Sequence, residues 1–387
     1  MSWPMVKLGD VCQITMGQAP SGSFYNEKGQ GYALIAGAGD FGKLNPIPKK
    51  YTTKASKLSK SGDIIICIRA TIGDLNWSDK EYCLGRGVAG LRGKESLYQG
   101  FLWHFLNYNK NVLSSKGTGS TFKQISRNHI EELIIPLPPI EEQKRIAAIL
   151  DKADGILQKR EQAIKLADDF LRASFLEMFG DPVGNPKGWK KNKIKKGVLN
   201  ITSGWSATGE NIPCKFDEFG VLKISSVTSG AFKPEENKVV ACESIPASKK
   251  LIHPKKGDLL FSRANTRELV AAICMVHQDY DNLFLPDKLW SIKLNHELLL
   301  PEFFLILIQN EKVRELLTKQ ATGTSGSMLN ISKGKFEETE IIFPEINVQK
   351  DFRNTFIKTS FLKEKLIKSN ELANESFNSL SQKVFQQ

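Results

Sequence analysis

The sequence predicts an α+β protein: two duplicated, strand-rich α/β domains separated by two long antiparallel coiled-coil helices. Three observations carry this. An ungapped shift of 206 positions lays Gly117-Thr118 on Gly323-Thr324, Ile125-Ser126 on Ile331-Ser332, Glu131-Glu132 on Glu337-Glu338, Pro138 on Pro344 and Gln143 on Gln349. Gly-Asp turns feed β-rich apolar runs in both halves, and both halves close on a long stretch of seven-residue apolar periodicity. A repeat of about half the chain is too long for a solenoid unit and means a duplicated domain. The boundaries fall at 1–138, 139–180, 181–344 and 345–387, domain and helix alternating.

Each half opens on a tryptophan, Trp3 before Val6 and Trp189 before Ile194, followed by a Gly/Ser loop at 17–22 and 203–207. Leu34-Ile35 with Gly42, Leu44 and Pro46 matches Leu222-Lys223 with Gly230, Phe232 and Pro234, a strand running into a turn. Gly62-Asp63 before Ile64-Ile65-Ile66-Cys67 recurs as Gly257-Asp258 before Leu259-Leu260-Phe261-Ser262, and such runs read as central strands. Residues 99–107 and 301–310 read as short amphipathic helices. The offset between the halves grows from about 186 to 206, so the second domain has the longer loops on a shared frame.

Pro138-Pro139 before Ile140-Glu141-Glu142 suits a helix start, with proline in the first turn and acids at the positive dipole end. The seam then runs Ile146, Leu150, Ala153, Leu157, Arg160, Ile164, Ala167, Leu171, Ser174, Met178. Alternating steps of four and three are the heptad pattern of a coiled coil, here about 50 Å long. The second helix repeats it as Phe352, Phe356, Thr359, Lys363, Leu366, Asn370, Ala373, Phe377, Leu380, Val384. Its aromatics are expected to fill the room left by the alanines of the first. Lys363 and Asn370 either fix register or face solvent at the edge of the seam.

The net charge of +12 is unevenly placed. Segment 139–180 has eight acidic and seven basic residues and segment 345–387 five and seven, so nearly all the excess lies on the two domains. That favours a polyanionic partner, nucleic acid first. No stretch approaches the ~18–20 apolar residues of a membrane span, and the N-terminus shows no signal region, so a cytoplasmic location is expected. The scattered cysteines 12, 67, 83, 214, 242 and 274 form no metal motif and are expected to be buried thiols. Gly37-Ala38-Gly39-Asp40-Phe41-Gly42 matches a dinucleotide fingerprint, but Pro46 and Pro48 leave no room for the helix that site needs. There is no phosphate-binding lysine loop and no Asn-Pro-Pro-Tyr-type methyltransferase motif, and histidines 104, 129, 253, 277 and 296 are isolated in sequence. A reader without catalytic parts of its own is expected.

The stretch Ile135-Pro136-Leu137-Pro138-Pro139-Ile140-Glu141-Glu142-Gln143, with the helix exit Met178-Phe179-Gly180-Asp181-Pro182, resembles the central conserved region of the DNA-specificity subunits of Type I restriction-modification enzymes. The Ile-rich strand followed by Arg69-Ala70-Thr71-Ile72-Gly73 is similar to that family's target-recognition domains. The second copy is degenerate, Pro344-Glu345-Ile346-Asn347-Val348-Gln349 keeping one proline and the glutamine. The resemblance implies that each domain reads one half of a bipartite site in double-stranded DNA, with the helices setting the spacer. It also implies docking of modification (methyltransferase) subunits, two of them, and of restriction (translocase-nuclease) subunits. S-adenosylmethionine, ATP and Mg would sit on those partners, with no cofactor, metal or catalysis in this chain.

Arginines at strand ends beside small polar residues reach base edges, which selects Arg69, Thr71, Arg86, Arg263, Asn265 and Arg267. The Gly/Ser/Thr/Lys loops offer Lys116, Thr118, Ser120, Lys123, Thr324 and Ser325 to phosphates. The same arginines could instead make internal salt bridges and the loops merely cap the helices that follow. Two other readings stay open: a specificity subunit of a Type II-like system, and a coiled-coil scaffold that does not touch DNA.

Overall fold

The computed structural model describes residues 3–119, 123–323 and 328–386. It contains two compact units, Met1–Gln162 with Leu366–Gln387, and Ala163–Lys365, so the division falls within each long helix rather than at its start. Among the described residues, no helix is long and apolar enough to cross a membrane.

In the first unit a four-stranded antiparallel sheet has the order Cys12–Met16, Val88–Gly93, Ile64–Cys67, Leu75–Trp77. Ile64–Cys67 is an interior strand and its four residues are buried, as an uninterrupted apolar run requires. The preceding turn explains the Gly-Asp pair. Gly62 sits at φ +86°, in the left-handed region glycine favours. Asp63 is buried, and its carboxylate accepts the Lys60 amide at 2.7 Å and the Arg92 guanidinium at 2.5 Å. A second sheet pairs Tyr32–Ile35 with Lys50–Thr52 antiparallel and with Cys83–Leu84 parallel.

The second unit repeats this frame. Its four-stranded sheet runs Val198–Ser203, Leu289–Leu294, Leu259–Ser262, Ile273–Met275. Phe219–Leu222 pairs antiparallel with Asn237–Val240 and parallel with Leu283–Phe284. Gly257 takes φ +84°, and buried Asp258 pairs with Lys293 where Asp63 pairs with Arg92. Each unit also closes with a short antiparallel pair, Met5–Lys7 with Ile134–Pro136 and Lys191–Lys193 with Glu340–Ile342.

Both long helices are continuous over 40 residues, Ile140–Phe179 and Ile346–Phe385, about 60 Å each. In the first unit Ile146 and Leu150 share a core with Val384 and Phe385, and Phe377 and Leu380 pack against it. There the Arg160 guanidinium donates to the Ser369 carbonyl. In the second unit Phe175 and Phe179 meet Phe352 edge-on with ring centroids 5.6 Å apart. Within each unit the numbers rise along one helix as they fall along the other, so the segments are antiparallel. Leu157 and Leu171 are buried, Ile164, Met178, Phe356 and Leu366 half-buried. Phe352 fills its place against phenylalanines, not against an alanine as expected. Lys363 reaches the Asp168 carboxylate at 2.6 Å, and the Oδ1 of Asn370 is buried with no hydrogen-bond partner among the described residues.

One buried side chain ties each helix start to its domain. Gln143 is fully buried; its Oε1 accepts the Tyr98 amide at 2.8 Å and its Nε2 donates to the carbonyls of Ser96 and Pro138, both at 2.8 Å. Gln349, 206 positions on and equally buried, accepts the Leu300 amide at 2.9 Å and donates to Leu298 at 3.0 Å and Pro344 at 2.8 Å. The short helices that follow Tyr98 and Leu300, Gln99–Tyr108 and Pro301–Gln309, are therefore fixed to the long ones by the same three hydrogen bonds.

Candidate nucleic-acid interface

In the first unit the buried strand Ile64–Cys67 hands over to an exposed corner. Ile68 donates its amide to the Gly87 carbonyl at 2.9 Å, and Ala70 takes a left-handed φ of +58°. Arg69 forms a β-bridge with Gln124, and Gln124 pairs with Thr118 through amide bonds of 3.0 and 2.9 Å. A pair of segments carrying Thr118 and Lys123 is thus anchored beside Arg69, and Lys116 caps the helix that precedes it. Ser120, Thr324 and Ser325 lie outside the described residues.

Arg69, Thr71 and Arg86 line one cavity of about 500 Å³, together with Ala36, the Gly37–Gly39 turn, Gly85 and Gly87. Close backbone packing shapes it: a Cβ on Gly87 would meet the Ala36 carbonyl oxygen at 2.1 Å. The turn at Ala38–Asp40 is a single 3-10 turn held by Asp40, whose carboxylate accepts the Ala36 amide at 2.8 Å, so no helix starts there to hold a dinucleotide. Among the described residues, the side chains of Arg69, Arg86, Lys116 and Lys123 make no hydrogen bond or ion pair. Thr71 spends its hydroxyl on the Cys67 sulfur at 3.6 Å. Two arginines in one concavity, with Lys123 next to it through the Ala70 amide bond to its carbonyl, favour an anionic ligand.

The second unit uses the same backbone differently. Its chain partner to Gly87 is Lys288, whose carbonyl accepts the Arg263 amide at 3.1 Å, so Arg263 occupies the place of Ile68 and not of Arg69. Its guanidinium is engaged, Nε with the Asp287 carbonyl at 2.8 Å and Nη1 with Asn330 Oδ1 at 2.8 Å. Asn265 accepts the Thr266 amide at 2.8 Å and lies on the strand paired with Leu329–Asn330. Arg267 is exposed but lines a separate cleft of about 380 Å³ with Glu268, Glu311, Arg314 and Glu315, where carboxylates offset its charge. Arg69, Thr71 and Arg86 therefore converge, whereas Arg263 and Arg267 do not.

His104 is buried and its Nε2 lies 2.8 Å from Asp151, and His253 Nδ1 lies 2.8 Å from the Leu283 carbonyl, so these histidines are satisfied by structural partners. The expectation that the cysteines are buried thiols needs correction. Cys242 is exposed and Cys214 half-buried, whereas the other four cysteines are buried. Asp287, which the strand-end rule for arginines passes over, stands at the same corner of the second unit. Its signal lay only in the register that aligns it with Arg86.

The chain thus contains two copies of one strand-rich frame, each with a polar corner at the end of its central strand. Comparison with known proteins narrows this. Residues 2–166 match the family model described as the Type I restriction modification DNA specificity domain. A Methanocaldococcus jannaschii protein named as the MjaX type I restriction enzyme specificity subunit is 39% identical over 159 residues, covering 40% of this chain and 37% of that one. The type I restriction enzyme EcoKI specificity subunit of Escherichia coli is 25% identical over 326 residues, covering 78% of this chain and 68% of the relative. The chain thus spans little more than a third of the first relative's length and about two thirds of the second's. The crystal structure of a Type I restriction-modification S subunit from M. genitalium shares the fold, with a TM-score of 0.59 and 15% identity over 100% of this chain and 96% of that one. Residues 2–166 are thus similar to a Type I restriction modification DNA specificity domain, and the chain shares the fold of a solved S subunit.

Proposed function

We propose that this chain is the DNA-reading subunit of a Type I restriction-modification complex, each unit reading one half of a bipartite double-stranded site. The observation that carries this is the duplicated corner: Arg69 and Arg86, without a partner among the described residues, in a concavity of one unit, and a strand pair anchored at the equivalent place in the other. Lys116, Thr118 and Lys123 contact phosphates and fix register, while the strand-end residues face base edges. The long helices set the spacer and present apolar side chains to modification subunits. Ile149, Ile156 and Phe170 on the first helix, and Phe361 and Leu372 on the second, are exposed although hydrophobic. Two modification subunits and a translocase-nuclease complete the complex. S-adenosylmethionine, ATP and Mg act on those partners, and this chain contributes binding alone.

The test is DNA binding by the chain co-purified with its modification subunits, measured by fluorescence anisotropy from 50 to 300 mM salt. Neutralising several phosphates predicts a linear loss of log affinity with log salt, about 0.9 per phosphate contacted. Binding that ignores salt, or none, would favour the protein-only scaffold.

A further inference from the structure

Resting on that reading, we infer that the two units read opposite hydrogen-bonding chemistry: Arg86 reads the acceptor edge of a guanine, and Asp287 accepts from an exocyclic amino group of cytosine or adenine. The structural register makes the comparison possible. Cys67 pairs with Val88 in the first unit and Ser262 with Leu289 in the second. The parallel pairs Ile35–Leu84 and Val221–Phe284 precede the same corner. Arg86 and Asp287 each stand two residues before the paired position, so the same backbone place carries a cation in one copy and a carboxylate in the other.

Their surroundings suit these roles. Arg86 is exposed, lines the cavity, and has no hydrogen-bonding or ionic partner among the described residues. A free guanidinium offers only donors, and its fork matches guanine O6 and N7. Asp287 keeps 46% of its side chain exposed, yet it is held from two sides. Its Oδ2 lies 3.6 Å from Arg263 Nη2, and its Oδ1 accepts the Ser206 hydroxyl. Arg263 is itself fixed by Asn330 and by the Asp287 carbonyl, so it offsets the carboxylate's charge near a phosphate backbone while the carboxylate stays partly exposed. An ionised carboxylate only accepts, and the amino groups of cytosine N4 and adenine N6 are the major-groove donors it can use. Arg263 is therefore a positioning residue for Asp287 and not a base reader.

The experiment maps adenine methylation across a genome methylated by the whole complex, carrying the parent chain, Arg86→Gln or Asp287→Asn. The parent should require a guanine in one half-site and an amino-bearing base at a position of the other. Arg86→Gln should lower methylation at guanine-containing sites roughly tenfold to a hundredfold and admit adenine there, because the glutamine amide pairs with adenine N6 and N7. Asp287→Asn, which supplies both donor and acceptor, should relax the other half-site only. Uniform loss of methylation with unchanged base requirements, in variants that still assemble, would overturn the inference while leaving DNA reading intact. Unchanged methylation would overturn it equally. If the parent directs no bipartite motif, the reading beneath the inference fails as well.

Discussion

Replacing Gln143 by alanine tests the joint between domain and helix. The side chain is fully buried and makes three hydrogen bonds of 2.8 Å to main-chain groups. Truncation removes all three and leaves the Pro138 carbonyl buried without a partner from this side chain, with the Tyr98 amide and Ser96 carbonyl partly buried. At about 1 kcal/mol or slightly more per bond, the loss is about 3–4 kcal/mol. In a unit of this size 1 kcal/mol moves the melting temperature by about 2–4 °C, so the first unit should melt roughly 10 °C lower. Because a two-unit chain need not unfold in one step, the better assay is native-state hydrogen exchange on the full chain. Amides of Gln99–Tyr108 and of the first turns of Ile140–Phe179 should lose protection together. Gln143→Leu, which restores volume but no hydrogen bonds, should rescue little. A cost below about 1 kcal/mol for Gln143→Ala, or full rescue by leucine, would refute the reasoning, because packing and not the polar joint would then hold the helix start.

Three further outcomes follow from the same structure. The Lys312 ammonium, then the amides of Gly184 and Val183, hold the Asp181 carboxyl at about 2. Its stabilising contribution is complete above the ordinary aspartate value near 3.9 and is lost as pH falls toward 2. Asp181→Asn should therefore flatten the acid limb of stability below about pH 4, and coincident acid-unfolding curves for parent and variant would count against this. Lys363→Met removes a partly exposed ion pair worth less than about 1 kcal/mol and adds apolar burial on the seam, so thermal stability should hold or rise. A drop of more than 1 kcal/mol would mean that the bond to Asp168 holds the helices. Gly87→Ala should disrupt the corner that presents Arg86, since the new Cβ would lie 2.1 Å from a carbonyl oxygen. DNA affinity at parental level, with an unchanged melting temperature, would contradict that geometry.

Much of the fold was legible in the sequence because it was written twice. Period-seven seams, Gly-Asp turns and a constant shift identify elements by local rules, and the seam residues Leu150, Leu157, Leu171 and Phe352 are buried. What local rules miss is the use of one backbone place by two chemistries. Strand-end reasoning grouped Arg263 with Arg69, yet the pairing register sets Arg263 at the position of Ile68 and turns it inward to Asp287 and Asn330. The Gln143–Gln349 match was visible as a coincidence, but its hydrogen bonds join it to residues more than forty positions earlier, which no local pattern shows. His104 likewise finds Asp151 only through the packing of two helices.

The central claim, that this chain supplies the sequence specificity of a modification complex, is tested most directly by mapping methylated adenines in the host genome with the gene present and deleted. The account predicts that one bipartite N6-methyladenine motif disappears on deletion, its two halves and their spacing thereby assigned to this chain. An unchanged methylation map, with the modification subunits expressed and active, would contradict it.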